Sequence, residues 1–94
     1  MAKVIHKYHI GTGRTIVSLP VGACVINAGI QTQRLALWAL VDAKAAAYEP
    51  RAFNVYMTGE PMPDEPGTYL KTVINSTGIV AHVFESALGV DDER

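Results

Sequence analysis

The stretch from Ala23 to Asp42 constrains the fold more than any other part of the chain. It holds the only tryptophan, the only cysteine and the densest apolar run, so any core has to be built on it. Read as two strands, its first half puts Cys24, Ile26, Ala28 and Ile30 on one face. The second half puts Leu35, Leu37, Ala39 and Val41 on one face, because strand side chains alternate with period two. Gln31-Thr32-Gln33-Arg34 is then the turn of a hairpin. The opposite face of the second half, Arg34, Ala36, Trp38 and Leu40, is too apolar for plain water. That strand is either buried on both sides or presents Trp38 to a partner or ligand. A helical reading stands beside this one. Gln33 to Tyr48 lacks Gly and Pro and is rich in Leu and Ala, strong helix formers. As a helix its apolar residues do not gather on one stripe: Leu35, Trp38 and Ala39 lead to Asp42, and Leu37, Leu40 and Val41 lead to Lys44. The residues alone leave strand and helix both open.

Elsewhere the pattern is that of short strands and turns. Lys3 to Ile10 alternates loosely and reads as a strand. Gly11-Thr12-Gly13-Arg14 turns the chain; a phosphate-cradling loop would need a helix after it, whereas Thr15 to Leu19 is rich in β-branched residues and stops at Pro20. Ala43 to Tyr48 is Ala-rich and has room for one short helix. Arg51 to Thr58 alternates cleanly, with Phe53, Val55 and Met57 facing in and Asn54, Tyr56 and Thr58 facing out. Gly59 to Gly67 carries three prolines and three acids. It is too proline-rich for a sheet and reads as a stiff connector, a lid over a pocket or an arm across a subunit boundary. Tyr69–Ser76 and Ile79–Glu85 form a hairpin around Thr77-Gly78, with Leu70, Thr72 and Ile74 on one face and Val80, His82 and Phe84 sharing another. The expected fold is mainly β: an antiparallel sandwich or partly open barrel of six to seven short strands, with at most one short helix. Residues 1–88 make one domain, followed by a disordered acidic tail at 89–94.

Composition narrows the function classes. In a chain of 94 residues, 49% hydrophobic and 18% charged, there is more apolar surface than a small monomer readily hides, so a homo-oligomer, a dimer or tetramer, is expected. The net charge is −1, without the basic stripe that duplex DNA or long RNA requires. A lone cysteine forms no internal disulfide and suits a reducing cytosol. The first residues lack the continuous apolar core of a secretory leader, and no apolar run approaches membrane-spanning length.

Residue types argue for binding rather than catalysis. His6 and His9, three apart on a strand, point to opposite faces and cannot share a metal. Cys24 sits on an apolar strand face and reads as a buried small hydrophobe. His82, beside Phe84, reads as a hydrogen-bonded core histidine. The acids concentrate in the proline-rich loop and the tail, away from any acid–base pair. Neither catalytic set, metal site nor cofactor is expected; the enzymatic alternatives are a serine paired with His82 and a nucleotide-processing site assembled between subunits. In contrast, Tyr8, Trp38, Tyr56 and Tyr69 are rings able to stack on a base, worth roughly 1–3 kcal/mol each. Lys7, Arg34, Arg51 and Lys71 can neutralise phosphates, and Thr58 with the Gly59 amide adds neutral donors. Core packing is the competing explanation for each ring, most of all for Trp38.

Lys7-Tyr8, Leu19-Pro20-Val21-Gly22-Ala23, Leu37-Trp38-Ala39-Leu40-Val41-Asp42, Thr58-Gly59-Glu60-Pro61-Met62-Pro63 and His82-Val83-Phe84-Glu85 occur together in this order. That set resembles a family of small phage and prophage proteins over nearly the whole chain. Many of its members place a proline just after the Val-Asp, which argues against a helix there and favours the strand. This sequence departs from them at Lys44–Tyr48 and at Glu60, where relatives carry histidine. The family in turn looks similar to phage anti-defence sponges, in particular a tetrameric group that sequesters the cyclic dinucleotides of bacterial CBASS immunity. The resemblance implies a protein of the infected host's cytoplasm that holds a nucleotide such as 3',3'-cGAMP without cleaving it. Its pocket is then expected to draw on Tyr8, Trp38, Tyr56 and Thr58, with Lys7 and Arg51 on the phosphates. Tyr56→Ala should weaken binding without unfolding the protein. The alternative is a small phage accessory module that grips a host or virion protein through an apolar sheet face.

Overall fold

The structure, a computed structural model, describes residues 2–88; the acidic tail expected at 89–94 lies outside them. Seven strands, β1 (Lys3–His9), β2 (Gly13–Pro20), β3 (Cys24–Gln31), β4 (Arg34–Asp42), β5 (Tyr48–Met57), β6 (Thr68–Ile74) and β7 (Val80–Ser86), form two antiparallel sheets. One has the order β1-β4-β3 and the other β2-β5-β7-β6. They pack as an open sandwich, with the edge strands β3 and β6 side by side. Lys71 Nζ donates to Asn27 Oδ1 at 3.1 Å across that junction.

Of the ambiguous stretch Gln33–Tyr48, Arg34–Asp42 is strand β4, and residues 43–47 are turn and irregular chain. β4 is the central strand of its sheet, pairing β1 on one side and β3 on the other. Backbone hydrogen bonding on both sides thus overrides the modest helix propensity of its Leu and Ala residues. Thr32 and Gln33 make the two-residue turn between β3 and β4, both with positive φ, 52° and 64°, the geometry that matches strand twist in a tight hairpin. The short helix allowed at Ala43–Tyr48 does not form. Tyr48 and Glu49 instead extend β5 backwards to pair with Pro20 and Leu19. Pro50 is tolerated because β7 ends opposite Ala52 and leaves that side of β5 unpaired.

The core lies between the sheets. Leu37, Ala39 and Val41 of β4 and Ala28 of β3 meet Phe53 and Val55 of β5, Val83 and Ala81 of β7, Val73 of β6 and Leu19 of β2. Val4, Tyr8 and Leu35 pack at its margin. Two bulges correct the simple alternation. At Ile26 the register of β3 shifts between Val25 and Asn27. As a result Cys24, opposite Leu40, does not share a face with Ala28, and it is exposed rather than buried. A second shift between Tyr69 and Lys71 sends Leu70 to the core and leaves Tyr69 with Thr72 on the outer face.

β5 and β6 run parallel with β7 between them, so the proline-rich connection 58–67 has to cross β7. It starts with Glu60 Oε1 accepting from the Met57 amide at 2.9 Å. It ends at Gly67, φ 96°, where an added Cβ would overlap the Glu85 carbonyl oxygen and lie 2.8 Å from the Ser86 Cα. Gly78 also has positive φ, but its Cβ position is open. Gly67→Ala should therefore cost about 3 kcal/mol or more, as severe backbone lesions do, whereas Gly78→Ala should cost only about 1–2 kcal/mol. Urea unfolding of the two variants measures the difference, and equal losses would contradict the close crossing.

Candidate binding faces

On the outer face of the three-stranded sheet, side chains align in rows across β1, β4 and β3. Ile5, Leu40 and Cys24 form one row, Lys7, Trp38 and Asn27 the next, and His9, Ala36 and Gly29 a third. Trp38 is half-buried, and its ring lies against Gly29, whose Cβ position is 3.4 Å from Cζ3. A side chain at 29 would push the indole off the sheet. Lys7 Nζ donates to Gln31 Oε1 at 2.7 Å, and because these residues sit on the two strands flanking β4, the pair spans it beside the indole. Ile5 and the bulge residue Ile26 are 56% and 50% exposed. The face therefore combines an accessible aromatic ring, an ammonium held next to it, two amides and an apolar surround. It can stack on a planar ring, attract an anion or seat an apolar protein surface.

The outer face of the four-stranded sheet is different. Tyr56 points outward, opposite His82, yet is fully buried. Phe84 packs edge-on against Tyr56 at 5.8 Å and against Tyr69 at 5.5 Å. The chain leaving β7 also folds back here, since Arg14 of β2 donates to the carbonyls of Ala87 and Leu88. Beneath this cover Asn54 Nδ2 donates to Ser86 Oγ at 3.1 Å. Towards β6, Thr58 Oγ1 and Thr72 Oγ1 bond the two ring nitrogens of His82 at 2.8 and 3.0 Å, and the Tyr69 hydroxyl meets Thr72 at 2.7 Å. His82 is thus hydrogen-bonded at both ring nitrogens, but it is half-buried on the outer face of the sheet rather than in the core where the sequence reading put it.

Arg51 lies at one end of the sandwich. It grips Glu85 in a two-pronged pair, Nε to Oε2 at 2.6 Å and one terminal nitrogen to Oε1 at 2.8 Å, while the other reaches the Ala23 carbonyl. The hydrogen bonds to Glu85 raise the guanidinium pKa above its ordinary value despite burial. It joins β5 to β7 and to the segment entering β3, so it ties one sheet to the other. Tyr8 faces the core from β1, edge-on to His6 at 6.4 Å, and burial raises its phenol pKa, with Tyr48 adding to the shift.

The six residues expected to form one pocket therefore divide. Lys7 and Trp38 share the outer face of one sheet, and Thr58 is exposed on the other sheet. Tyr56 is buried, Tyr8 faces the core, and Arg51 is bound to Glu85. Asn27, Gly29 and Gln31, which complete the Trp38 face, fall opposite Ala28 and Ile30 by period-two counting, but two amides and a glycine carry no ligand signal of their own, and only the pairing of β3 with β4 sets them beside Trp38. Among the described residues no three His, Cys, Asp or Glu side chains gather as a metal site would require. Nor, among the described residues, is any helix long and apolar enough to cross a membrane.

Tyr56→Ala is consequently expected to destabilise the protein by about 3–5 kcal/mol, the cost of emptying a buried aromatic site, contrary to a role as an exposed stacking ring. Arg51→Ala should cost about 3–5 kcal/mol by leaving Glu85 unpaired in a partly buried setting. Denaturant titrations of the two variants test both; losses below about 1 kcal/mol, the level of a surface contact, would contradict these placements.

Residues 1–93 match the family model described as a domain of unknown function, DUF7352, and the chain belongs to that family. No curated protein matches it, and no solved structure does.

Proposed function

We propose that this DUF7352 member is a phage anti-defence sponge that binds a cyclic dinucleotide or related nucleotide signal and sequesters it without cleavage. The observation that carries the proposal is the Trp38 face: a half-exposed indole lying on Gly29, with Lys7 held beside it by Gln31. A cyclic dinucleotide offers two π-faces and two phosphates in a nearly two-fold arrangement. Two copies of the chain meeting at this face across a two-fold axis supply two indoles and two ammonium groups to match. The apolar surround of Ile5, Leu40 and Ile26 gives such an interface its hydrophobic component. Assembly and ligand binding then use the same face, and the assembled pair is ready to receive the nucleotide. This moves the site away from Tyr8, Tyr56, Thr58 and Arg51 and keeps Trp38 and Lys7. The same exposed isoleucines favour a second reading, in which the face seats a host or virion protein and no nucleotide.

The test is to incubate the protein with a panel of cyclic nucleotides and ADP-ribose signals, wash it, release what is held by heating and identify it. Intact recovery of one compound is expected; an altered product would make the protein an enzyme, and no retention would leave the protein-binding reading. Trp38→Ala should weaken retention about ten- to a hundred-fold, the loss of roughly 1–3 kcal/mol of stacking. Lys7→Ala should weaken it most at low salt, where a phosphate contact is least screened. Light scattering is expected to show a dimer or tetramer, and a monomer at micromolar concentration would contradict the shared face.

A further inference from the structure

Four connections meet at the end of the sandwich opposite Arg51: residues 10–12, the Thr32-Gln33 turn, the start of the crossing at Thr58 and the turn at residues 75–79. Two cavities adjoin there. A slot of about 150 Å³ opens between the sheets, its apolar walls Ile30, Leu35, Met57, Ile79 and Ala81. Such a volume with aliphatic walls holds one benzene-sized body. Beside it lies a polar basin of about 510 Å³, with Thr12, Gln33 and Leu35 common to both. The remaining basin groups include His9, Thr15 and Arg34, and no carboxylate.

Three further observations bear on what fits. Arg34 is exposed, and the carboxylate–guanidinium pair of the described residues is Arg51–Glu85, so Arg34 keeps its charge available to a ligand. Thr15 Oγ1 accepts from the Gly11 amide at 3.0 Å, which leaves its hydroxyl hydrogen to donate. Glu60, bordering the depression beyond Thr12, is engaged by the Met57 amide. Finally, Thr32 and Gln33 both hold positive φ without being Gly or Asn, a costly choice in a tight hairpin, most of all for a β-branched threonine. That strain positions Gln33 at the junction of basin and slot, and stored strain of this kind concentrates at binding sites.

We infer that this open end is a second binding site, which borders the Trp38 face at His9 and Arg34 but is lined by neither Trp38 nor Lys7. It takes a small molecule that joins an aromatic ring, seated in the slot, to a carboxylate or phosphate held by Arg34 in the basin. The site is present in a single copy of the chain and does not depend on the sponge reading.

Amide-resonance titration of the full chain tests it, with phenyl phosphate and benzoate as the two anionic probes. Inorganic phosphate serves as the head without a body, and benzyl alcohol as the body without a charge. Saturable shifts at Thr12, Gln33, Arg34 and Asn75 are expected with one or both aromatic anions, the stronger of the two identifying the acid group. Binding of either control should be at least tenfold weaker. Arg34→Gln, at an exposed position, should weaken the aromatic anion about tenfold, the value of one charge-assisted contact. Gln33→Gly should raise or preserve thermal stability, because glycine accepts the positive φ, while weakening binding severalfold. Trp38→Ala should leave these shifts intact, which separates this site from the nucleotide face. Absence of shifts at the mouth with both aromatic anions would overturn the inference. So would equal binding of inorganic phosphate, or indifference to Arg34→Gln.

Discussion

Burial of β5 on both of its faces is the constraint on which the rest of the molecule depends. Ala52, Phe53, Asn54, Val55 and Tyr56 are five consecutive buried residues in one strand. The inward pair, Phe53 and Val55, builds the core against β4. The outward side needs a second cover, and this small domain has no third layer to supply it. The fold answers with irregular chain: the proline-rich crossing over β7, the Phe84 ring and the backbone past Ser86 that Arg14 holds. Prolines suit such a cover because they restrict it before folding and need no ladder partners. The Arg51–Glu85 pair fixes β5 and β7 together at the other end and ties both to the segment entering β3. The outward side of β5 is thereby covered by the chain itself, although Ile16 and Tyr69 stay exposed elsewhere on that sheet face, while the outer face of the three-stranded sheet leaves Ile5 and Ile26 exposed and Trp38 half-exposed.

Much of the architecture was legible as period-two patterning. Alternation over Arg51–Thr58 correctly assigned Phe53, Val55 and Met57 inward, and the strand count and antiparallel sandwich follow from the same rule. Legibility stopped where a side chain's surroundings depend on distant chain. Tyr56 faces outward as the pattern states, but it is fully buried, with Phe84 packed edge-on against it from β7, a neighbour that only the strand order reveals. Cys24 was misassigned because one extra residue at Ile26 flips the phase of everything before it. The Ala-rich stretch before Tyr48 has helix propensity, yet β2 offered a partner strand, and a pairing along β2 outweighed a turn or two of marginal helix.

The candidate site was legible by residue type and obscure in geometry. Aromatic rings and cations are visible in the sequence, but only Trp38 and Lys7 emerge as neighbours on an open face. Tyr56 and Arg51, chemically as suitable, serve packing and an ion pair instead. Arg34, legible in sequence as a candidate phosphate partner, and the glycine turn at Gly11–Gly13, read there as a plain turn, flank the basin at the open end. Sequence lists the functional groups, while register, bulges and the crossing decide which can act together.

Trp38 is the only tryptophan of the chain, so its emission reports on the proposed nucleotide face alone. A titration of the intact protein with the panel of cyclic dinucleotides, followed by intrinsic fluorescence, addresses the central claim directly. Stacking of a base on the indole predicts saturable quenching by one or a few nucleotides of the panel. Emission unchanged across the panel at nucleotide concentrations up to the millimolar range would contradict the Trp38 face as a nucleotide site.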